Sequence, residues 1–169
     1  MSYFIPLHNS NKIAIVDHAE DFMKACRYKW SVSFRGGRIY RGQHFPEAIT
    51  AKHKGKSIFL HRIIIGAKRG EVVDHINGDI FDNRKSNLRI CTQCQNSRNA
   101  RKNRSGVTSI YKGVSWKPIN NKFRAQIQVD RRNIHLGYFY DQTEAALAYN
   151  AAAIKYFGEF ARLNIIESR

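Results

Sequence analysis

The spacing of apolar and polar residues changes period several times along the chain, and each change predicts an element. Lys12–Val16 is a short apolar run and predicts a strand. Asp17 and Glu20 stand at capping-box spacing, and Phe22, Met23 and Cys26 follow at helical intervals, which predicts a helix. Tyr28, Trp30, Val32 and Phe34 alternate with Lys29, Ser31, Ser33 and Arg35. That period of two predicts a half-buried strand, with Gly36-Gly37 as a two-residue turn and Arg38–Arg41 returning beside it. Ser57–Ile65 is apolar on both faces and is expected to be buried as strand, helix, or one and then the other. Past a basic turn, Gly66–Gly70, the segments Glu71–His75 and Asn87–Cys91 read as two strands. The residues between them, Asn77-Gly78-Asp79 and Asp82-Asn83, are turn formers. Thr92 and Gln95 form a second capping box, opening a polar helix that carries Arg98, Arg101 and Lys102. Asn103–Ser109 has no apolar period and contains Gly106, as a linker would.

The last third is the most regular. Tyr111–Lys117, Lys122–Asp130 and Asn133–Tyr138 are predicted strands, with turns at Asn120-Asn121 and Arg131-Arg132. Residues 142–157 form an alanine-rich helix, capped by Asp141 or Thr143 and ended by Gly158. Leu147, Ala151 and Ile154 are its expected apolar stripe. The fold class is α+β. It comprises a mixed, β-rich module (1–66), a hairpin-plus-helix core (67–102), a basic linker (103–109), and a three-stranded antiparallel sheet packed on one helix (110–169).

Composition narrows the partners. The chain has 169 residues, 43% of them hydrophobic and 12% aromatic, so it can bury a core and is not disordered. Its formal charge is +16, distributed as +7, +5 and +4 over residues 1–66, 67–105 and 106–169. A folded chain with that excess in every block suits a polyanion, nucleic acid first. A basic membrane-surface protein or a merely basic soluble protein are the competing readings. No apolar run reaches the ~18 residues of a membrane span, and the N-terminus lacks the pattern of a secretory signal. Three cysteines, Cys26, Cys91 and Cys94, form no disulfide framework, which suits a reducing, cytoplasmic compartment.

The candidate chemistry lies in the middle block. Hydrolysis of a phosphodiester calls for a hard divalent cation held by oxygen ligands, with positions left open for water and phosphate. Asp74 offers a carboxylate and Asn96, in the first turn of the capped helix, an amide oxygen. His75, with a reference pKa of ~6.5, suits a base that takes a proton from water near neutrality. On a regular strand Asp74 and His75 face opposite sides, so a turn or bulge is expected to bring them to one centre. An isolated Asp-His pair and an Asn-Gly-Asp turn are also common without any such role.

The full stretch is more specific. Val72-Val73-Asp74-His75-Ile76-Asn77-Gly78-Asp79, then Asp82-Asn83-Arg84, Asn87-Leu88-Arg89 and Thr92–Asn96 resemble the HNH endonuclease motif of the phage and bacterial homing type. The resemblance implies a ββα-metal core. Asp74 and Asn96 would bind one Mg²⁺ or Mn²⁺, His75 would be the general base, and Asn87 would brace the loop and orient His75. His61-Arg62 resembles the pair that precedes the motif and is read as structural. Cys91-x-x-Cys94 is one pair only, so no structural zinc, which needs four ligands, is expected.

In the last block, Ser115 and Lys117, then Arg124, Gln126 and Gln128, then Asn133 and His135 occupy one face of the predicted sheet. Gln and Asn can pair with adenine edges and Arg and Lys with guanine, although any small α+β domain has a polar face. Tyr111–Val114, Phe123–Ile127, His135–Phe139, Glu144–Ala146, Ala148-Tyr149 and Leu163-Asn164 resemble the plant Apetala and ethylene-response DNA-binding domain. The resemblance adds Lys112 and Tyr138 to the reading positions and implies a sheet lying in the major groove. Ser115, Gln128 and Asn133 stand where Arg is usual and His135 where Trp is usual, so the plant target is not implied; a site richer in A·T is. Arg98, Arg101, Lys102 and Arg104 are expected to follow the DNA backbone.

The expected protein is therefore a site-specific, metal-dependent endonuclease acting on double-stranded DNA, without a membrane, as a monomer or as a dimer only on DNA. Its first 66 residues are expected to buttress the hairpin and add phosphate contacts. A DNA-binding regulator with a vestigial nuclease motif is the alternative. An RNA-binding protein would show exposed aromatics for stacking, whereas most aromatics here fall on core-facing positions.

Overall fold

The computed structural model describes residues 1–33, 48–102 and 108–166, together with the backbone of Ile39–Tyr40 and Gln43–His44. The Gly36-Gly37 turn, most of the linker and Arg104 lie outside the described residues. The chain is α+β, with several small antiparallel sheets and four helices among the described residues. It divides into two compact units, Met1–Asn96 and Ser97–Arg169.

The first unit opens with a hairpin of β1 (Tyr3–Pro6) and β2 (Ile13–Val16). β1 was not foreseen, because Tyr3-Phe4-Ile5-Pro6 is short and ends on a proline. Helix α1 (Ala19–Ala25) follows, but the Asp17 capping box does not form. His18 is the N-cap without a side-chain bond, and Asp17 instead accepts the backbone N–H of Lys85 at 3.2 Å. The helix buries Asp21 and Ala25, leaving Met23 and Cys26 exposed, so the expected apolar stripe is displaced by one position.

Among the described residues, β3 (Ser31–Ser33) pairs with β6 (Ala48–His53), and β4 (Ile39–Tyr40) and β5 (Gln43–His44) pair with each other. β6 in turn pairs with β7 (Lys56–Phe59), which runs straight into α2 (Leu60–Ile65). The expected alternation in β3 holds: Trp30 and Val32 are buried with Ile49 and Ala51 of β6 and Leu60 and Ile64 of α2. Gly66 closes α2 in the left-handed region, a conformation that favours glycine.

β8 (Val72–His75) and β9 (Leu88–Cys91) form the predicted hairpin, and α3 (Gln93–Asn99) follows. Here the capping box is made on both sides. Thr92 N–H donates to Gln95 Oε1 at 2.8 Å, and Gln95 N–H donates to Thr92 Oγ1 at 3.2 Å.

The second unit is a three-stranded sheet with β11 central: β10 (Val114–Lys117), β11 (Lys122–Val129) and β12 (Arg132–Phe139). Helix α4 (Gln142–Phe157) lies across one face, capped by Asp141, whose carboxylate accepts Thr143 N–H at 3.0 Å. The buried face of α4 is Ala145, Ala146, Tyr149, Ala152, Ala153 and Phe157, not the expected Leu147, Ala151 and Ile154, which are exposed. Alanines let the helix axis approach the sheet, and two large rings fill what remains. The fit is close enough that a Cβ on Gly113 (φ +77°) would overlap the Tyr149 ring. Among the described residues no helix is long and apolar enough to cross a membrane.

Candidate functional site

The β8–β9 register runs without a shift, pairing Asp74 with Arg89 and His75 with Leu88. The expected bulge is absent, so Asp74 and His75 project from opposite faces of β8. Each meets its own neighbours.

Asp74 is 5% exposed, and its Oδ2 accepts Arg89 Nε at 3.0 Å and Nη2 at 2.7 Å. Two residues along β9, the Cys91 thiol is pushed up by burial and by the Asp74 charge, while the Asn96 backbone N–H offsets part of that shift. Cys91 thus feels both Asp74 and the backbone of Asn96. Asn96 itself is half-buried. Among the described residues no group of three or more His, Cys, Asp or Glu could enclose a metal. One carboxylate and one amide oxygen are hard donors suited to an open site filled mainly by water and phosphate. The donor chemistry therefore fits a hard divalent ion and does not fit a closed structural metal site.

On the other side of β8, His75 Nε2 lies 3.3 Å from Asn83 Oδ1. Asn83 is fully buried and its amide is oriented by Nδ2 donating to Ile80 O at 2.9 Å. An amide oxygen only accepts, so Nε2 carries the hydrogen and the neutral ring has its lone pair on Nδ1. Burial lowers the His75 pKa, against a smaller upward pull from Asn83 and from Asp74, Asp79 and Asp82. The His61 ring packs edge-on against His75, with centroids 5.4 Å apart. Burial, then His75 and Arg62, push the His61 pKa down to about 4. Both imidazoles are neutral at pH 7.

The loop between the strands is held by side chains. Asn87 Oδ1 accepts Asn77 N–H at 3.0 Å, and Asn87 Nδ2 donates to Asp82 O at 2.7 Å and to Asn77 Oδ1 at 3.0 Å. Asn77 Nδ2 donates to Asp82 Oδ2 at 2.9 Å, and Arg84 closes on Asp82 through two bonds of 2.7 and 2.6 Å. The Arg84 guanidinium holds the Asp82 carboxyl below its ordinary range. Asn87 braces the loop as expected of its position; the side chain set on His75 Nε2 is Asn83, which sequence reasoning assigned only to a turn. Strand β2 joins in, since Ile15 N–H donates to Phe81 O and Asn83 N–H to Ile15 O, both at 2.8 Å. Asp21, fully buried on α1, pairs with Lys85 at 2.7 Å. The N-terminal segment thus pins the loop that carries Asn83.

In the second unit the outer sheet face carries Ser115 opposite Arg124 and Arg124 opposite Tyr138, with Gln126 opposite His135 and Gln128 opposite Asn133. Lys117 pairs with Lys122 at the end of the β10–β11 ladder. A register shift next to Ala125 leaves Leu136 as the extra residue of β12. It lets Leu136 stay in the core while His135 and Tyr138 share the outer face, their rings 4.7 Å apart. Arg124 Nε is buried without a hydrogen-bond partner among the described residues.

Three cations expected at DNA are committed elsewhere. Lys102 Nζ donates to Ser109 O, Tyr111 O and Val114 O at 2.9, 2.6 and 2.8 Å. Lys112 Nζ donates to Arg98 O at 2.6 Å and Ala100 O at 2.7 Å, at the end of α3, and burial followed by Arg162 lowers its pKa to about 8. Arg98 stacks over the Phe157 ring at 4.8 Å and faces Asp130 at 3.5 Å. Backbone carbonyls left open by a loop and a helix end took the two lysines, and a ring and a carboxylate took Arg98. Arg101 is exposed.

Residues 59–98 match the family model described as HNH endonuclease. The chain is also 29% identical over 143 residues to an uncharacterized HNH endonuclease of Acanthamoeba polyphaga mimivirus, covering 83% of this chain and 69% of the viral one. An HNH endonuclease domain therefore lies within residues 59–98, the segment that holds Asp74, His75, Asn83, Asn87 and Asn96.

Proposed function

We propose that the protein is a divalent-metal-dependent DNA endonuclease with a ββα-metal active site on β8, β9 and α3, whose second unit reads sequence through its sheet. The observation that carries the first half is His75, an imidazole kept neutral by burial with its tautomer set by Asn83. Asp74 and Asn96 would hold one Mg²⁺ or Mn²⁺, which when bound would polarise the scissile phosphate. His75 Nδ1 would take the proton from the attacking water. Because Asp74 and His75 leave β8 on opposite faces, the phosphate would have to span the end of the strand to meet both. Arg89 on Asp74 Oδ2 would orient the carboxylate. The outer sheet face, from Ser115 to Tyr138, would enter a major groove as in the Apetala-like domain, with Gln126, Gln128 and Asn133 as base-reading positions.

The test is cleavage of supercoiled plasmid by wild type and His75→Ala, with Mg²⁺ or Mn²⁺ and with chelator. Wild type cuts only with metal, and the variant is slower by ~10²–10⁴, the contribution of general acid–base catalysis. Equal cutting by both removes His75 from the chemistry. The Arg89–Asp74 pair specifically favours a second reading, a DNA-binding regulator in which Arg89 has taken the place of the cation. Specific binding without cleavage of any sequence in a randomised library would establish it.

A further inference from the structure

The strand that contributes Trp30 and Val32 to the core has a second face. The β3–β6 ladder pairs Ser31 with Thr50 and Val32 with Ile49. The same register continues past the last ladder pair, because the Tyr28 and His53 rings meet edge-on at 5.5 Å. Lys29 and Lys52 therefore share one face of the sheet, and Lys52 Nζ donates to Ser57 Oγ on β7 at 3.1 Å. Among the described residues that line the resulting groove of about 790 Å³, none is acidic. Arg27, Lys29 and Lys52 are its exposed cations, with Ser31 and Thr50 beside them and Tyr28 and Ala51 completing the lining. Cations and hydroxyl donors in a row suit successive phosphates.

We infer that the outer face of the β3–β6 sheet is a second binding site, a groove that holds the phosphodiester backbone of duplex DNA. The groove lies in the unit that carries the candidate active site but shares no residue with it, and the choice of DNA over other polyanions rests on the nuclease reading. Its function is grip independent of sequence.

The test is the salt dependence of binding to a fluorescent duplex of random sequence, without divalent cation, for the full chain and for Lys29→Gln/Lys52→Gln. Each phosphate contact contributes ~0.9 to the slope of log Kobs against log salt, so the double variant should lose about 1–2 of that slope. It should also melt close to wild type, since both side chains are exposed. Ser31→Ala/Thr50→Val keeps the charges, and should weaken binding a few-fold with the slope unchanged. A folded Lys29→Gln/Lys52→Gln variant with wild-type affinity and slope overturns the inference, as does a wild type that binds no duplex. Plasmid cleavage by wild type, measured separately, tests the nuclease reading alone: a shallower slope in the variant beside an inactive wild type keeps the groove and removes the nuclease.

Discussion

The base role proposed for His75 would need a neutral ring of defined tautomer, and its neighbours supply both. Burial keeps it unprotonated, and Asn83 fixes the hydrogen on Nε2. Asn83→Ala would leave Nε2–H unsatisfied in a buried site, a loss of ~1–3 kcal/mol. We expect kcat to fall with KM little changed, and the pH–rate profile to alter on its acidic limb. A rate equal to wild type across pH 5–8 would show that His75 is aimed without Asn83. Lys102 is a residue-scale case of the opposite kind. Its three carbonyl bonds make it a structural cation, and bonds to charged groups are worth ~1.5–3 kcal/mol each. Lys102→Met should lower the urea midpoint of the second unit without flattening the salt dependence of DNA binding. The sequence shows Lys102 as one cation in a basic run. Which cations face water depends on carbonyls that only folding brings within reach.

Among the elements, the hairpin and α3 were legible because their signals are local. Thr92 and Gln95 answer each other three residues apart, and the structure makes both bonds. Thr92→Ala should cost ~0.5–2 kcal/mol in chemical denaturation, as the loss of an N-cap does. The bounds of α4 were equally legible, whereas its buried face was not. Apolar Leu147 and Ile154 look like core, yet the sheet takes the alanine side because small residues allow the closest approach. Leu147→Ala and Ile154→Ala should each change stability by less than ~0.5 kcal/mol. Ala153→Leu should cost ~1–3 kcal/mol by overpacking. Equal effects from the two faces would mean that α4 is turned differently on the sheet. The partner of β3 was also hidden. Its ladder with Ala48–His53 joins segments separated by more than ten residues, which no local pattern marks.

For the whole molecule, two neutral imidazoles in the first unit set an acid limit. His61 has a folded pKa of about 4 against 6.5 for the unperturbed group, so the unfolded chain binds the proton more readily between those values. The stability that this site contributes is present above pH 6.5 and is lost as pH falls toward 4. Melting temperature should therefore drop across that window, and less so in His61→Phe, which keeps a ring against His75. Identical pH profiles for the two proteins would assign the acid sensitivity elsewhere.

The sequence by itself determined the charge of +16 and the order of most elements, because composition, period and capping are written over a few residues, and it made Asp74, His75, Asn87 and Asn96 candidates. Only the tertiary structure decided which strand pairs with β3, which face of α4 is buried, and that Asn83 sits on His75. It also decided that Lys102 and Lys112 serve backbone carbonyls while Lys29 and Lys52 stay exposed on one sheet face. Those outcomes depend on groups distant in the chain competing for the same partners in space, and that competition leaves no local pattern to read.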